Sequence, residues 1–286
     1  MAKILVLGSG TPTPTPTRFG TAFIVQIGEE YVMFDCGPAT TYKMAKIGVF
    51  PTQVNHLFFT HHHYDHDADY PCFLLCRWNH SIGIESELQV CGPPPTSKMT
   101  NGLIGQNGVF IDDLSARINA PASQKVHVNR GGTLPRPQIS IKVRDIGPGD
   151  NVKGNHWKVV AGSAKHVEPW LISLAYRIDT EDEVIVIAGD TEPCESVMEL
   201  SKGADVFVAN CWDHQETMDR NGEAPGQTGT IDAANMAKES GAKTLILAHT
   251  GTHLSAAGSR EKGVADIARI YDGKVIFAEE LMNITV

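Results

Sequence analysis

Short apolar runs closed by glycine, proline or charged residues recur along the whole chain, and their spacing is that of β-strands. The runs at 3–7, 21–27, 31–34, 56–59, 87–90, 139–143, 157–161, 172–177, 184–188, 206–209, 244–248 and 274–277 are rich in Val, Ile, Leu and Phe. Several have almost no polar position, as expected of strands covered on both faces. Between them, segments near 39–47, 67–78, 109–119, 193–202, 230–240 and 258–270 carry apolar residues at i, i+3 and i+4 and predict helices. Thr230 and Ser259 are candidate caps for the last two. Strand and helix patterns are mixed rather than segregated, and some strands follow closely enough to be hairpins. The pattern therefore predicts an α+β arrangement of two mixed β-sheets packed face to face with helices outside. The polar segment 120–130 and the Gly/Pro-rich stretch 131–137 separate two halves of similar order within one expected domain, 1–286. Alternating Thr and Pro at 11–17 suit a stiff extended loop after the first strand.

One stretch changes the picture from architecture to chemistry. Thr60-His61-His62-His63-Tyr64-Asp65-His66 begins where the apolar run 56–59 ends, so its polar side chains hang from a strand terminus. A His-x-His-x-Asp-His pattern arises by chance in such a chain with a probability on the order of one in a thousand. Imidazoles and carboxylates are the donors that zinc and similar divalent ions take when thiols are absent. His61 and His63 can face one side of a turn while Asp65 and His66 reach a second position, which suits two metals. Three further ligand-type residues, His166, Asp190 and His249, lie just past the ends of apolar runs. The six cysteines show no CxxC pair, and Cys72 and Cys76 are expected as reduced core side chains on a helix face.

These motifs, together with Gly8-Ser-Gly-Thr-Pro, Gly189-Asp190-Thr191 and Ala248-His249-Thr250, resemble the metallo-β-lactamase superfamily over essentially the whole chain. The resemblance implies an αββα sandwich with metals at one edge between the sheets. It implies that His61, His63 and His166 hold a first metal, that Asp65, His66 and His249 hold a second, and that Asp190 bridges them. Two Zn2+ are the expected cofactors, with Mn2+ or Fe2+ as alternatives, and a homodimer is the implied assembly. The opening glycines, Asp35-Cys-Gly37 and Cys91-Gly-Pro93 are similar to the branch that contains tRNase Z and zinc arylsulfatases.

The chain departs from the tRNase Z pattern in two places. Gln227 stands where that family places a histidine, and Asn210-Cys211-Trp212-Asp213 aligns with its His-Glu-Ala-Thr. An amide and a thiol cannot replace a proton-donating His/Glu pair at neutral pH. With 24 Lys+Arg against 33 Asp+Glu the net charge is −9, which argues further against nucleic acid as a partner. The expected function is therefore a dinuclear zinc hydrolase of a small molecule, an ester, lactone, amide, sulfate ester or activated aryl compound. In that reading a hydroxide between the metals attacks, with Asp65 and Asp190 as catalytic carboxylates. Asn210, Trp212, Gln227 and His253 are expected to line the substrate site. The alternatives are a phosphodiesterase or ribonuclease of tRNase Z type and a non-catalytic metal-binding scaffold. No apolar run approaches the roughly 18–20 residues of a membrane span, and the apolar stretch after Lys3 is too short for a signal core, so a cytoplasmic protein is expected.

Overall fold

The computed structural model describes residues 1–84 and 86–286. Its strands are β1 (Ala2–Ser9), β2 (Thr21–Ile27), β3 (Glu30–Phe34), β4 (Val54–Phe58), β5 (Leu88–Gly92), β6 (Ile141–Asp145), β7 (Asn151–Lys153), β8 (Trp157–Ser163), β9 (Leu174–Thr180), β10 (Val184–Ile187), β11 (Val206–Asn210), β12 (Thr244–Ala248), β13 (Lys274–Phe277) and β14 (Asn283–Thr285). They form two seven-stranded sheets, ordered β14-β1-β2-β3-β4-β5-β6 and β13-β12-β11-β10-β9-β8-β7. In each sheet an antiparallel portion leads into a parallel one: β3, β4, β5 and β6 run parallel in the first, and β10, β11, β12 and β13 in the second.

The period of two explains why these runs contain so few polar residues. In β11, Val206 and Val208 turn into the space between the sheets, while Phe207 and Ala209 pack beneath helices. The inner layer joins Val6, Phe23, Phe34 and Phe58 of one sheet to Trp157, Tyr176, Ile187 and Val208 of the other. The Phe34 and Phe58 rings lie stacked at 5.4 Å, and Tyr176 donates its buried hydroxyl to the Phe59 carbonyl at 2.6 Å. On the outside, Tyr70, Phe73 and Leu74 of the helix Tyr70–Asn79 cover Ile24, Met33 and Leu57. Ala233 and Ala237 of the helix Thr230–Ser240 cover Phe207 and Leu245 in the same way. Helices thus flank two packed sheets, the α+β, αββα sandwich.

Some elements differ from the expectation. β7 and β14 are three-residue edge strands, and Thr96–Ile104, Pro121–Asn129 and Gln215–Asn221 are helices. Thr230 and Ser259 are the first helical residues rather than caps, being preceded by Gly229 and Gly258. Cys72 and Cys76 do share a helix face, with sulfurs 4.0 Å apart, but Cys72 is exposed and Cys76 half-buried, so neither is a core side chain. Among the described residues no helix is long and apolar enough to cross a membrane.

Candidate metal centre

Topology brings the ligand-type residues together. Parallel strands present their carboxyl ends at one edge, the usual place for a site in such sheets. His61, His63, Asp65 and His66 follow β4, Asp190 follows β10, and His249 follows β12. β8 is two antiparallel steps from β10, so it runs in the same direction and delivers His166 to that edge as well. Ligand atoms of His61, His63 and His166 lie within 4.8 Å of one another, as do those of His61, His66 and Asp190 and those of Asp65, His66 and His249.

The hydrogen bonds around the imidazoles fix which nitrogens face inward. His166 Nδ1 donates to the Gly226 carbonyl at 2.7 Å, and His66 Nδ1 donates to Asp35 Oδ2 at 2.8 Å. Thr60 donates its hydroxyl to Asp35 at 2.8 Å and so accepts from His61 Nδ1 at 3.1 Å. In the neutral rings, the Nε2 atoms of His61 and His166 therefore carry lone pairs. At His66 burial is outweighed by the Asp35 and Asp190 carboxylates, which raise its pKa well above the ordinary histidine value until a metal displaces the Nε2 proton. His61 Nε2 lies 2.9 Å and His166 Nε2 3.2 Å from His63 Nδ1. A hydrogen on His63 Nδ1 can serve only one of these two acceptors, whereas a cation would serve all three nitrogens. His66 Nε2 and Asp65 Oδ1 are likewise buried without a hydrogen-bond partner. The donor set thus fits divalent metal ions.

Asp190 faces both groups, its Oδ2 lying 3.2 Å from His249 Nε2, 3.7 Å from His66 Nε2 and 3.9 Å from His166 Nε2. Burial alone would raise its proton affinity, but His249 and His66 outweigh this and hold the carboxyl well below the usual carboxylate range. Burial, reinforced by neighbouring histidines, lowers His61 well below the ordinary histidine value and lowers His63 as well. Neutral imidazoles and an ionised carboxylate are the forms that bind metal. Two glycines make the approach possible. Gly189 (φ +64°) turns the chain into Asp190 where a Cβ would meet Thr60 at 2.9 Å, and at Gly226 (φ +76°) a Cβ would lie 2.1 Å from the His166 carbonyl oxygen.

Asp35 was not among the expected site residues, although it too is a carboxylate just past a buried strand. It sits at φ 60°, is buried, and accepts from the Thr60 amide at 2.7 Å as well as from the Thr60 hydroxyl and His66. It fixes the tautomer of His66 and the turn that starts the motif. His62 points elsewhere, bonding Asp67 at 3.1 Å and Thr96 at 2.8 Å, while Tyr64 donates to the Pro12 carbonyl at 2.6 Å. Of the expected lining residues, Trp212 lies with its ring 6.0 Å from that of His249, and Asn210 donates to Gln227 at 2.9 Å. His253 contacts no ligand-type residue named above and instead bonds Asp213 at 2.9 Å.

A sandwich of two mixed sheets with this His/Asp cluster at its edge defines a metallo-β-lactamase-fold hydrolase. Residues 15–97 match the metallo-β-lactamase superfamily profile. Ribonuclease Z of Mycobacterium bovis (strain BCG / Pasteur 1173P2) is 26% identical over 299 residues, covering 100% of this chain and 99% of its own. Among solved structures, the metallo-β-lactamase fold protein YhfI from Bacillus subtilis superposes with TM-score 0.73 at 19% identity, covering 99% of this chain and 98% of its own. Human tRNase Z, short form, gives 0.68 at 19% identity and covers 99% of both chains.

These likenesses correct two expectations. Relatives matched from end to end are ribonucleases, which overturns the small-molecule substrate and the exclusion of nucleic acid. The net charge of −9 is a sum over the whole surface, whereas a substrate feels the local field at the sheet edge. The loss of the His/Glu pair bears on where a proton comes from, not on which ester is bound.

Proposed function

We propose that the protein is a two-metal phosphodiesterase that acts on RNA. The observation that carries this reading is the convergence of three overlapping ligand clusters at one edge, in a chain matched over its full length by Ribonuclease Z. His61, His63 and His166 would hold one ion, Asp65, His66 and His249 the other, with Asp190 facing both; an all-nitrogen-and-oxygen donor set favours Zn2+, with Mn2+ or Fe2+ as substitutes. Such ions supply Lewis acidity at a phosphoryl oxygen and a strong oxygen nucleophile at neutral pH. The chain itself contributes orientation. Asp35 and Thr60 hold His66 and His61 in the required tautomers, and the buried Asp65 and Asp190 carboxylates keep the site anionic before ions enter. The test is turnover of a matched p-nitrophenyl series, phosphodiester against carboxylic ester against sulfate ester. The phosphodiester is expected to dominate by orders of magnitude; an inert diester beside an active carboxylic or sulfate ester would refute the reading.

An exposed aromatic on the turn that follows a candidate ligand supports a nucleobase-bearing substrate. Trp170 is 85% exposed on the turn four residues past His166, a turn closed by Trp170 N–H on the Val167 carbonyl and by Glu168 on the His166 amide. A freely presented indole suits stacking by an unpaired base, worth about 1–3 kcal/mol. Trp170→Ala should therefore raise KM for RNA by about 5- to 100-fold while sparing kcat and the turnover of bis(p-nitrophenyl) phosphate. Steady-state kinetics on both substrates checks this, and equal effects on the two would remove the stacking role.

A further inference from the structure

We propose that His253 and Asp213 form a general-acid dyad that protonates the leaving oxygen, an inference that rests on the site being a phosphodiester-hydrolysing one. The two residues are far apart in sequence and meet because β11 and β12 are neighbouring parallel strands whose loops leave the same edge. Asp213 lies on the loop after β11, and His253 lies four residues past His249 on the loop after β12. The loops are tied together where Cys211 N–H donates to the Ala248 carbonyl at 2.8 Å and Gly251 N–H donates to the Trp212 carbonyl at 2.9 Å. The indole of Trp212, next to Asp213, faces the ring of His249. The two loops that carry the dyad thus also carry Trp212 and the candidate ligand His249.

Its internal geometry is that of an oriented acid. The Asp213 side chain is only 10% exposed and that of His253 60%. His253 Nδ1 lies 2.9 Å from both carboxylate oxygens, and the His214 amide donates to one of them at 2.7 Å. Because a carboxylate only accepts, Nδ1 carries a hydrogen, and Nε2 is the nitrogen that gains and loses a proton. Nε2 makes no hydrogen bond among the described residues. Cys211, Gln227 and His62 cannot do this work. Burial pushes the Cys211 thiol far above the usual range, the Gln227 amide accepts from Asn210, and both ring nitrogens of His62 are engaged.

Hydrolysis forms a P–O bond from the water oxygen and breaks the P–O bond to the leaving nucleoside oxygen. As that bond breaks, the imidazolium of His253 gives its Nε2 proton to the leaving oxygen, and the proton lost by the attacking water restores the imidazolium through solvent. His253 is then a catalytic residue and Asp213 a positioning residue.

A leaving group that needs a proton distinguishes the dyad from a surface ion pair. His253→Gln should lower kcat on RNA by about 10²- to 10⁴-fold. The loss on bis(p-nitrophenyl) phosphate should be much smaller, because p-nitrophenolate departs as a stable anion. Metal content per chain, measured by mass spectrometry, should match the wild type, separating the dyad from the ligands. Asp213→Asn should fall in the same direction, and the double variant should be no slower than His253→Gln alone, since the two act as one unit. Should Asp213→Asn fail to fold, the exposed His253→Gln carries the test by itself. Equal losses on both substrates, no loss on RNA, or additive losses in the double variant would overturn the dyad. If the wild type hydrolyses carboxylic esters and no diester, the RNA reading fails, and the same comparison on alkyl against p-nitrophenyl esters decides the dyad separately.

Discussion

Asp190→Asn is expected to lose metal and turnover together. The carboxylate hangs from a glycine turn at the end of β10 and is the one placed to face His66, His166 and His249 together. An amide keeps the shape but removes the negative charge and offers one neutral oxygen. Transition-state stabilisation by the metals is worth several kcal/mol, so the rate should fall by on the order of 10³ or more at about 1.4 kcal/mol per tenfold. Metal analysis and initial rates on the same preparation check both halves. A variant with full metal content and wild-type turnover would mean that Asp190 is not a ligand.

The second large effect is expected at Asp35, which touches no substrate. Its carboxylate accepts from His66 Nδ1, the Thr60 amide and the Thr60 hydroxyl, all buried. Asp35→Ala leaves these donors without a partner and breaks a buried ionic contact, which costs about 3–5 kcal/mol. It also frees the ring of His66 to turn, and loss of such a supporting carboxylate weakens metal binding by about 10- to 100-fold. Asp35→Asn should recover part of the stability, because an amide oxygen can still accept, but not the metal affinity. Urea unfolding and a metal titration measure the two separately; an Ala variant equal to wild type in both would show that Asp35 is only a turn residue.

The physics of the core was legible because the parallel strands are buried on both faces. The runs 184–188, 206–209 and 244–248 read as strands since almost every position packs against the other sheet or a helix. The edges were not legible for the opposite reason. β7 places Asn151 and Lys153 in solvent, and the helix Pro121–Asn129 has few apolar positions, so its segment reads as a polar boundary. Thr96–Ile104 hides behind Pro93, Pro94 and Pro95, which end one element and in this chain begin the next.

At the site the same contrast holds. Histidines clustered within one turn announce themselves, and lone residues past strand ends follow by analogy of position. Asp35 passes for a turn residue because its partners, Thr60 and His66, are distant in sequence. The contact between Asp213 and His253 exists only once β11 and β12 pair, so inspection of the motif registers a missing His/Glu pair and not what stands near it. Substrate class was hidden too, because net charge averages over a surface of which the site is a small part.

The most direct test of the central claim is the initial rate of cleavage of a tRNA precursor transcript by zinc-loaded protein, with the Asp190→Asn variant as the blank. Metal-dependent cleavage by the wild type is expected, abolished by chelation, restored by added zinc and absent in the variant. Transcript left intact by fully metal-loaded wild type, or cleaved equally by the variant, would contradict that claim.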